Sequence, residues 1–366
     1  MSRRTLTALV MAGGQGERMQ SSGVPVPKPL VAVCGVPLLE RNLWSLARTE
    51  VARVVVSVAC GADRTEACAR EVGGALAQAR SFGFEVLVET EPLGNVGCAG
   101  ALRGRADDVL LLYADNLTLL PLADLVARHR ESGSDLTLAA HRQAFRMPFG
   151  ALDLERGRVT GYHEKPSVEY TVSSAVCVLG AAALERLDGR PAGLADLAQG
   201  LVAQGRHVAA YEHASPWIDV NDAAGIVAAE ALVRDHRHAF ECWAPEVHAT
   251  RMLWIARGPE GVIVGPGEGA GGSWALPSVE CSGREDAGRA AAAMRATAGV
   301  PEAAQLEIVE FDDVTPAGRF VRTCAFIQSE LSHRALRSPW SWCKEADVLG
   351  QPEAARALAR AGPGVR

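Results

Sequence analysis

Short apolar, β-branched runs alternate with amphipathic stretches along the first part of the chain. TALVMA precedes LLERNLWSLART, RVVVSVA precedes residues 63–81, FEVLVE precedes GCAGALRG, and DVLLLYAD precedes PLADLVARHRESG. This pattern constrains the fold most. A strand apolar at successive positions must be covered on both faces, and helices in the crossovers supply that cover. The alternation predicts βαβ units: an α/β fold with a Rossmann-like, mainly parallel sheet and helices on both faces. In such sheets the chemistry lies outside the carboxyl ends of the strands.

The 366 residues exceed one typical domain. Around residues 236–250 the alanine-rich AAGIVAAEALVRDH gives way to HRHAFECWAPEVHAT. Beyond it, shorter strands (MLWIAR, GVIVGP, LEIVEFDD, FVRTCAFIQ) surround one alanine-rich segment. This predicts a first domain over 1–240 and a smaller α+β domain over 248–360.

Lys and Arg number 37 against 43 Asp and Glu, a net charge of −6 that offers no field for nucleic acid. An anionic ligand must then be met by a few placed cations. Nine scattered cysteines with no CxxC pair argue against a disulfide framework or a zinc site and fit a reducing cytoplasm. No run approaches the ~20 apolar residues of a membrane span.

The first strand runs into VMAGGQGERMQSSGVPVPKPLVAV. Gly13, Gly14 and Gly16 let backbone amides approach a phosphate closely, although glycines alone fit a tight, ligand-free turn equally well. They do not match GxGxxG, because Met19 takes the third glycine position, and no Gly-Lys-Ser/Thr follows. Arg18, together with Lys28 stiffened between Pro27 and Pro29, shifts the balance toward a triphosphate.

LVMAGGQGERM followed by PKPLVAVCGVPLL resembles the signature of the nucleotidylyltransferases that activate sugar 1-phosphates. The likeness continues in order through ETEPLGNVG (89–97), YADN (113–116), PFGAL (148–152), GYHEKP (161–166), VSSAVCVL (172–179) and PWIDVND (216–222). Departures from the family pattern are Asn95, Val96, Ala114, Ser173, Ala175 and Cys177. The resemblance implies a nucleotidyltransferase fold. It also implies attack of a sugar 1-phosphate oxygen on the α-phosphorus of a nucleoside triphosphate, releasing pyrophosphate.

By the same resemblance Ala12, Gly13, Gly14, Gly16, Glu89, Leu93 and Gly94 bind the nucleotide. Arg18 and Lys28 hold the departing phosphates, and Gly150, Glu164 and Lys165 take the sugar phosphate. Asp115 and Asp219 bind Mg²⁺, which favours hard oxygen ligands completed by substrate phosphates. Taken alone, a strand-end Asp is more often a turn or cap residue, and Glu-Lys-Pro at 164–166 reads as an exposed turn, with His163 beside it. The attacking phosphate is already an anion, so no side-chain nucleophile is required.

Cys177 in place of an aromatic and Ser173 in place of Asn turn the expectation away from the usual hexose. GTP with a cyclitol or unusual sugar 1-phosphate, such as valienol 1-phosphate for antibiotic biosynthesis, ranks first. ATP or dTTP with glucose 1-phosphate ranks second. A catalytically inactive, nucleotide-sugar-binding regulator is the alternative of another class. No nucleic-acid or membrane partner is expected, and a homo-oligomer is left open.

GGSWALPSVECSGREDAGRAAAAMRATAGV, with MLWIAR and GVIVGP before it, resembles the Nudix strand-loop-helix. The helical run that would carry the metal-binding glutamates reads Ala292, Ala293, Met294, Arg295, Ala296, Thr297. The resemblance therefore implies a degenerate Nudix-like domain without hydrolase activity, and Glu280, Arg284 and Glu285 read as surface charges.

Overall fold

Leu6, Ala8 and Val10 point into one apolar layer and Leu9 and Met11 into another, so the first strand is buried on both sides. The computed structural model describes residues 4–13, 26–243, 250–258, 261–266, 274–300, 306–314, 320–328, 336 and 340–344. In chain order the first strands are β1 (Leu6–Met11), the short pair β2 (Ala32–Val33) and β3 (Val36–Pro37), β4 (Arg53–Ala59), β5 (Gly83–Glu89), β6 (Asp108–Tyr113) and β7 (Asn116–Thr118). Then come β8 (Leu136–Arg146), β9 (Ala151–Glu155), β10 (Arg158–His163), β11 (Ser167–Gly180), β12 (Val208–His213) and β13 (Trp217–Asp219).

Seven of these form one sheet in the order β12-β8-β11-β6-β1-β4-β5. β1 runs parallel to β4 and β6, β4 to β5, and β8 to β12; β11 is antiparallel to both its neighbours. The sheet is thus parallel-rich with one reversed strand, an α/β architecture as the alternation predicts.

Helices cover both faces. α1 (Leu38–Leu46), α2 (Asp63–Arg80) and α3 (Leu122–Ser132) bury Leu39, Leu43, Leu76 and Leu125 against one face. α4 (Ala181–Glu185) and α5 (Leu194–Ala203) bury Leu184, Leu197 and Leu201 against the other. GCAGALRG, expected to be an amphipathic helix, is only a 3₁₀ turn over Gly97–Leu102. A Cβ on Gly97 would lie 2.7 Å from the Arg190 carbonyl and one on Gly100 2.6 Å from that of Leu187, so the segment is wedged against 187–192.

After α6 (Ala223–Asp235) and α7 (Arg237–Glu241), Trp243 stacks on Trp44 at 5.6 Å, and buried Glu241 pairs with Arg41 at 3.0 Å. A second sheet follows, from β14 (Thr250–Gly258), β15 (Gly261–Pro266), β16 (Trp274–Ala275), β17 (Ser278–Cys281), β18 (Glu307–Val314), β19 (Phe320–Gln328) and β20 (Ser341–Cys343). α8 (Arg284–Ala298) packs Ala287, Ala291 and Ala298 on one of its faces, and Glu280, Arg284 and Glu285 are exposed. Arg237 reaches Glu307 across the two sheets at 3.5 Å. Among the described residues no helix is long and apolar enough to cross a membrane.

Candidate active site

Lys28 opens a 3₁₀ turn, Lys28–Leu30, which Pro27 and Pro29 preset and whose Val31 amide closes on the Lys28 carbonyl at 3.2 Å. Val31 and Val33 then bury with Val220, Ala229 and Val233 in a small apolar cluster. That packing ties the lysine segment to the chain around residue 220, and β13 in turn pairs with β7, Asp219 opposite Asn116. The Val220 amide donates to the Asp115 carbonyl at 3.1 Å. Asp222 caps α6 by accepting from the Gly225 amide at 2.8 Å, which fixes the end of the segment.

These constraints bring Lys28, Asp115 and Asp219 together at the carboxyl end of the sheet. The Lys28 ammonium lies 2.5 Å from Asp115 Oδ2 and 3.7 Å from Asp219 Oδ1. It also donates to Asn221 Oδ1 at 2.6 Å, while Asn221 Nδ2 donates to Asp219 Oδ2 at 2.6 Å. Burial, and then the Asp115 charge, push the Asp219 pKa above the usual carboxylate value. Two carboxylates this close require a cation. Asn221 is a member of this cluster that sequence reasoning missed; its only signal is its place two residues after Asp219 in IDVND.

A second group sits at the ends of β1, β4 and β5. The Ala12 amide donates to the Ser57 carbonyl at 2.8 Å, and a Cβ on Gly13 would lie 3.3 Å from Glu89 Oε1. Glu89 accepts from the Ser57 hydroxyl through Oε1 and from the Leu93 amide at 3.2 Å through Oε2. Its carboxylate therefore joins the glycine loop to the 89–97 loop. Gly94 has φ +73 and bridges to Ala192, where an added Cβ would meet the Ala192 carbonyl at 2.4 Å. Asn95, a departure from the family pattern, accepts from the Leu194 amide at 2.8 Å and so anchors α5. Gly14, Gly16 and Arg18 lie outside the described residues.

Gly150, Glu164 and Lys165 form a third group on the arm that β8 and β11 extend past the sheet. A Cβ on Gly150 would clash with the Tyr162 hydroxyl at 2.3 Å, and that hydroxyl donates to Glu164 Oε2 at 3.1 Å. Lys165 is exposed and holds a left-handed φ of +45. Strain of this kind concentrates where a side chain must be aimed. No hydrogen bond or ion pair links this group to Lys28, Asp115 or Asp219 among the described residues.

Cys177, expected to reshape the substrate pocket, is fully buried between β6 and β8, and its thiol pKa is pushed up to about 12 by burial. The exchange of an aromatic for Cys177 alters packing under the sheet rather than an open wall. Ala175, where the family pattern has Gly, sits at φ +57 in a bulge between Ser173 and Cys177. Beside it the Ser174 hydroxyl and His213 Nε2 are 2.6 Å apart, and the rings of His141 and His213 lie at 5.6 Å with Trp217 beyond. Burial, then His141, lower the His213 pKa.

A cavity of about 780 Å³ opens at the opposite, amino end of the strands, lined by Arg4, Leu46, Arg48, Phe82 and Arg130. None of the candidate site residues lines it. The donor set around Lys28 suits a divalent cation: two carboxylates in a position that demands positive charge. Mg²⁺ is bound by one or two carboxylates plus substrate phosphates, rather than by an all-protein cage.

Residues 7–236 match the nucleotidyl transferase family. The chain is 26% identical over 225 residues to mannose-1-phosphate guanyltransferase beta-B of Xenopus laevis, covering 59% of this chain and 61% of the relative. It is 24% identical over 220 residues to a protein of Sulfolobus acidocaldarius named as a putative mannose-1-phosphate guanyltransferase, 59% of each chain. The match thus spans about three fifths of the length of these relatives. Among solved structures, HddC from Yersinia pseudotuberculosis aligns with a TM-score of 0.48 at 20% identity, covering 62% of this chain and 98% of that one.

Proposed function

The chain belongs to the nucleotidyl transferase family, and from that premise we propose that it joins a nucleoside monophosphate to a sugar or cyclitol 1-phosphate with release of pyrophosphate. The observation that carries this reading is the cluster of Asp115, Asp219, Asn221 and Lys28 at the carboxyl end of the sheet, where β6, which leads to Asp115, pairs with β1, which leads to Gly13.

The acceptor phosphate oxygen forms a bond to the α-phosphorus as the bond to the β-phosphate breaks, and the pyrophosphate leaves with the electron pair. No protein nucleophile takes part. The chain's task is alignment and charge neutralisation. Ala12, Gly13 and the 93–94 backbone, held by Glu89, line the nucleotide. Lys28, with Arg18, meets the β- and γ-phosphates. Glu164 accepts acceptor hydroxyls, the Gly150 backbone lies beside them, and Lys165 meets the acceptor phosphate. Asp115 and Asp219 would hold Mg²⁺, which when bound supplies Lewis-acid neutralisation of phosphate charge.

GTP is the preferred donor, in line with the guanyltransferase names of the relatives. The acceptor we favour departs from a common hexose, because Ser173 and Ala175 alter the strand beside the site; valienol 1-phosphate is its cyclitol representative, in an antibiotic pathway. The second sheet, read as a degenerate Nudix-like unit, is accessory, since Ala292, Ala293 and Ala296 on α8 offer no ligand to a cation. Pyrophosphate release with Mg²⁺, across five nucleoside triphosphates crossed with sugar 1-phosphates and valienol 1-phosphate, tests the proposal. Release that needs one matched pair is the expected result; silence across the panel with tight nucleotide-sugar binding overturns it in favour of the regulator.

A further inference from the structure

The arm beyond the sheet shows an apolar face to solvent. In the hairpin of β9 and β10, Leu152 lies opposite Tyr162 and Leu154 opposite Val159. Directly opposed residues share a face, so these four form one apolar surface, with Leu154 66% and Tyr162 65% exposed. The other face is polar: Asp153 pairs with His163 at 2.8 Å, and Glu155 lies opposite Arg158. This alternation is the pattern of a strand with one buried face. Yet no third strand pairs with the hairpin among the described residues. A two-stranded hairpin left alone in water is marginally stable.

The extended ribbon of β8 and β11 repeats the pattern. Phe145 lies opposite Val168 and contacts Tyr170 at 5.9 Å between ring centroids, and all three are exposed. Met147 and Phe149, the latter 73% exposed, connect the two ribbons where the Met147 amide closes on the Pro166 carbonyl at 2.9 Å.

The area matters here. At ~200 Å² per aromatic side chain the four rings leave roughly 480 Å² open, and the five aliphatic side chains add on the order of 300 Å². Summed over the two ribbons, that exceeds the ~300–600 Å² of the largest single apolar patch on a typical monomer. It is close to the ~800 Å² that one partner brings to a standard interface.

We propose that this arm is a homodimer interface, the apolar faces of β9–β10 and β8–β11 packing against the same faces of a second copy about a twofold axis. Charge selects the partner. Between residues 142 and 170 the arm carries Arg142, Arg146, Arg156, Arg158 and Lys165 against Asp153, Glu155, Glu164 and Glu169. A mixed, nearly neutral surface meets a copy of itself without repulsion, as an isologous contact requires, whereas an acidic or basic partner would call for one sign. The proposal does not depend on the transferase reading, because association is read without substrate.

Sedimentation velocity of the full chain over a range of concentrations tests it. The wild type sediments as a dimer. Leu154→Asp combined with Val159→Asp, both on solvent-facing side chains, weakens association at least about 100-fold with an unchanged circular dichroism spectrum. Glu155→Gln, on the polar face of the same hairpin, leaves the dimer intact. A monomer at every concentration, or a dimer indifferent to the double substitution, overturns the proposal. So does a monomer that floats with lipid vesicles and loses that binding in the double variant, which would make a membrane the occupant. Hydrogen exchange of the wild type decides the matter without any variant: amides of 151–163 gain protection as concentration rises, and constant protection refutes the interface.

Discussion

Replacing Lys28 with Gln separates the charge logic of the cluster from its catalytic use. The ammonium holds Asp115 at 2.5 Å and Asp219 at 3.7 Å. At an effective dielectric of about 20 such contacts amount to roughly 7 and 4 kcal/mol before desolvation. The side chains of Lys28, Asp115 and Asp219 are 14, 29 and 40% exposed, so solvent screening and desolvation cancel most of this. We expect a net loss of about 1–2 kcal/mol without divalent cation, a fall in Tm of about 2–4 °C.

In the variant the two aspartates face each other without a cation, and Asp219, whose pKa is already raised, gains further proton affinity. Mg²⁺ should then stabilise the variant more than the wild type, because no ammonium competes for the carboxylates. At 100 times the dissociation constant the gain is about 2.7 kcal/mol, enough to restore Tm while turnover stays low. Thermal denaturation with chelator and with Mg²⁺ measures both effects. A variant as stable as the wild type in chelator, or one that Mg²⁺ leaves unchanged, would refute the metal-pair reasoning.

Asp115→Asn should lower pyrophosphate release by at least about 100-fold with the circular dichroism spectrum retained; full activity would remove Asp115 from the metal site. Ala175→Gly should stabilise the chain by roughly 0.5–1 kcal/mol, read as a higher urea midpoint, because alanine at φ +57 carries a left-handed cost that glycine avoids. Gly94→Ala should cost about 2–4 kcal/mol, since the new Cβ would meet the Ala192 carbonyl at 2.4 Å at a φ of +73; an unchanged urea midpoint would refute the close approach. Burial alone would raise the pKa of Asp108, but the His129 ring 3.6 Å away, the hydrogen bond from Arg130 at 2.9 Å and the charge of Arg4 hold it below the usual value. Its contribution is therefore present above the ordinary carboxylate pKa and lost as pH falls through the lowered one, so Asp108→Asn should cost about 2–3 kcal/mol at neutral pH and flatten the acid limb of stability against pH.

Much of the first sheet was legible because most of its strands are buried on both faces: RVVVSVA and DVLLLYAD contain β4 and β6, and TALVMA and FEVLVE match β1 and β5 to within one residue at an end. Local signals also placed Lys28 in a rigid turn and Asp115 just past a strand, since proline geometry and apolar run length are properties of neighbouring residues. Two departures were not legible. Gly97 to Leu102 is a 3₁₀ turn because distant carbonyls at 187 and 190 crowd its glycines. Cys177 is a core residue because β11 runs antiparallel between β6 and β8, which its composition does not reveal.

Burial pattern and turn chemistry act within a few residues, so the order of the residues alone determined the α/β class and the family-like motifs. Tertiary structure decided which charges meet. Lys28 and Asp219 lie 191 positions apart in the sequence, and only the packing of Val31 and Val33 on Val220 and α6 sets the ammonium between two carboxylates and adds Asn221. His141 and His213 are neighbours solely through the register of β8 on β12. The exposed face of Leu154 and Val159 likewise follows from what the rest of the chain leaves uncovered, since an alternating strand specifies that one face wants burial and not what will bury it.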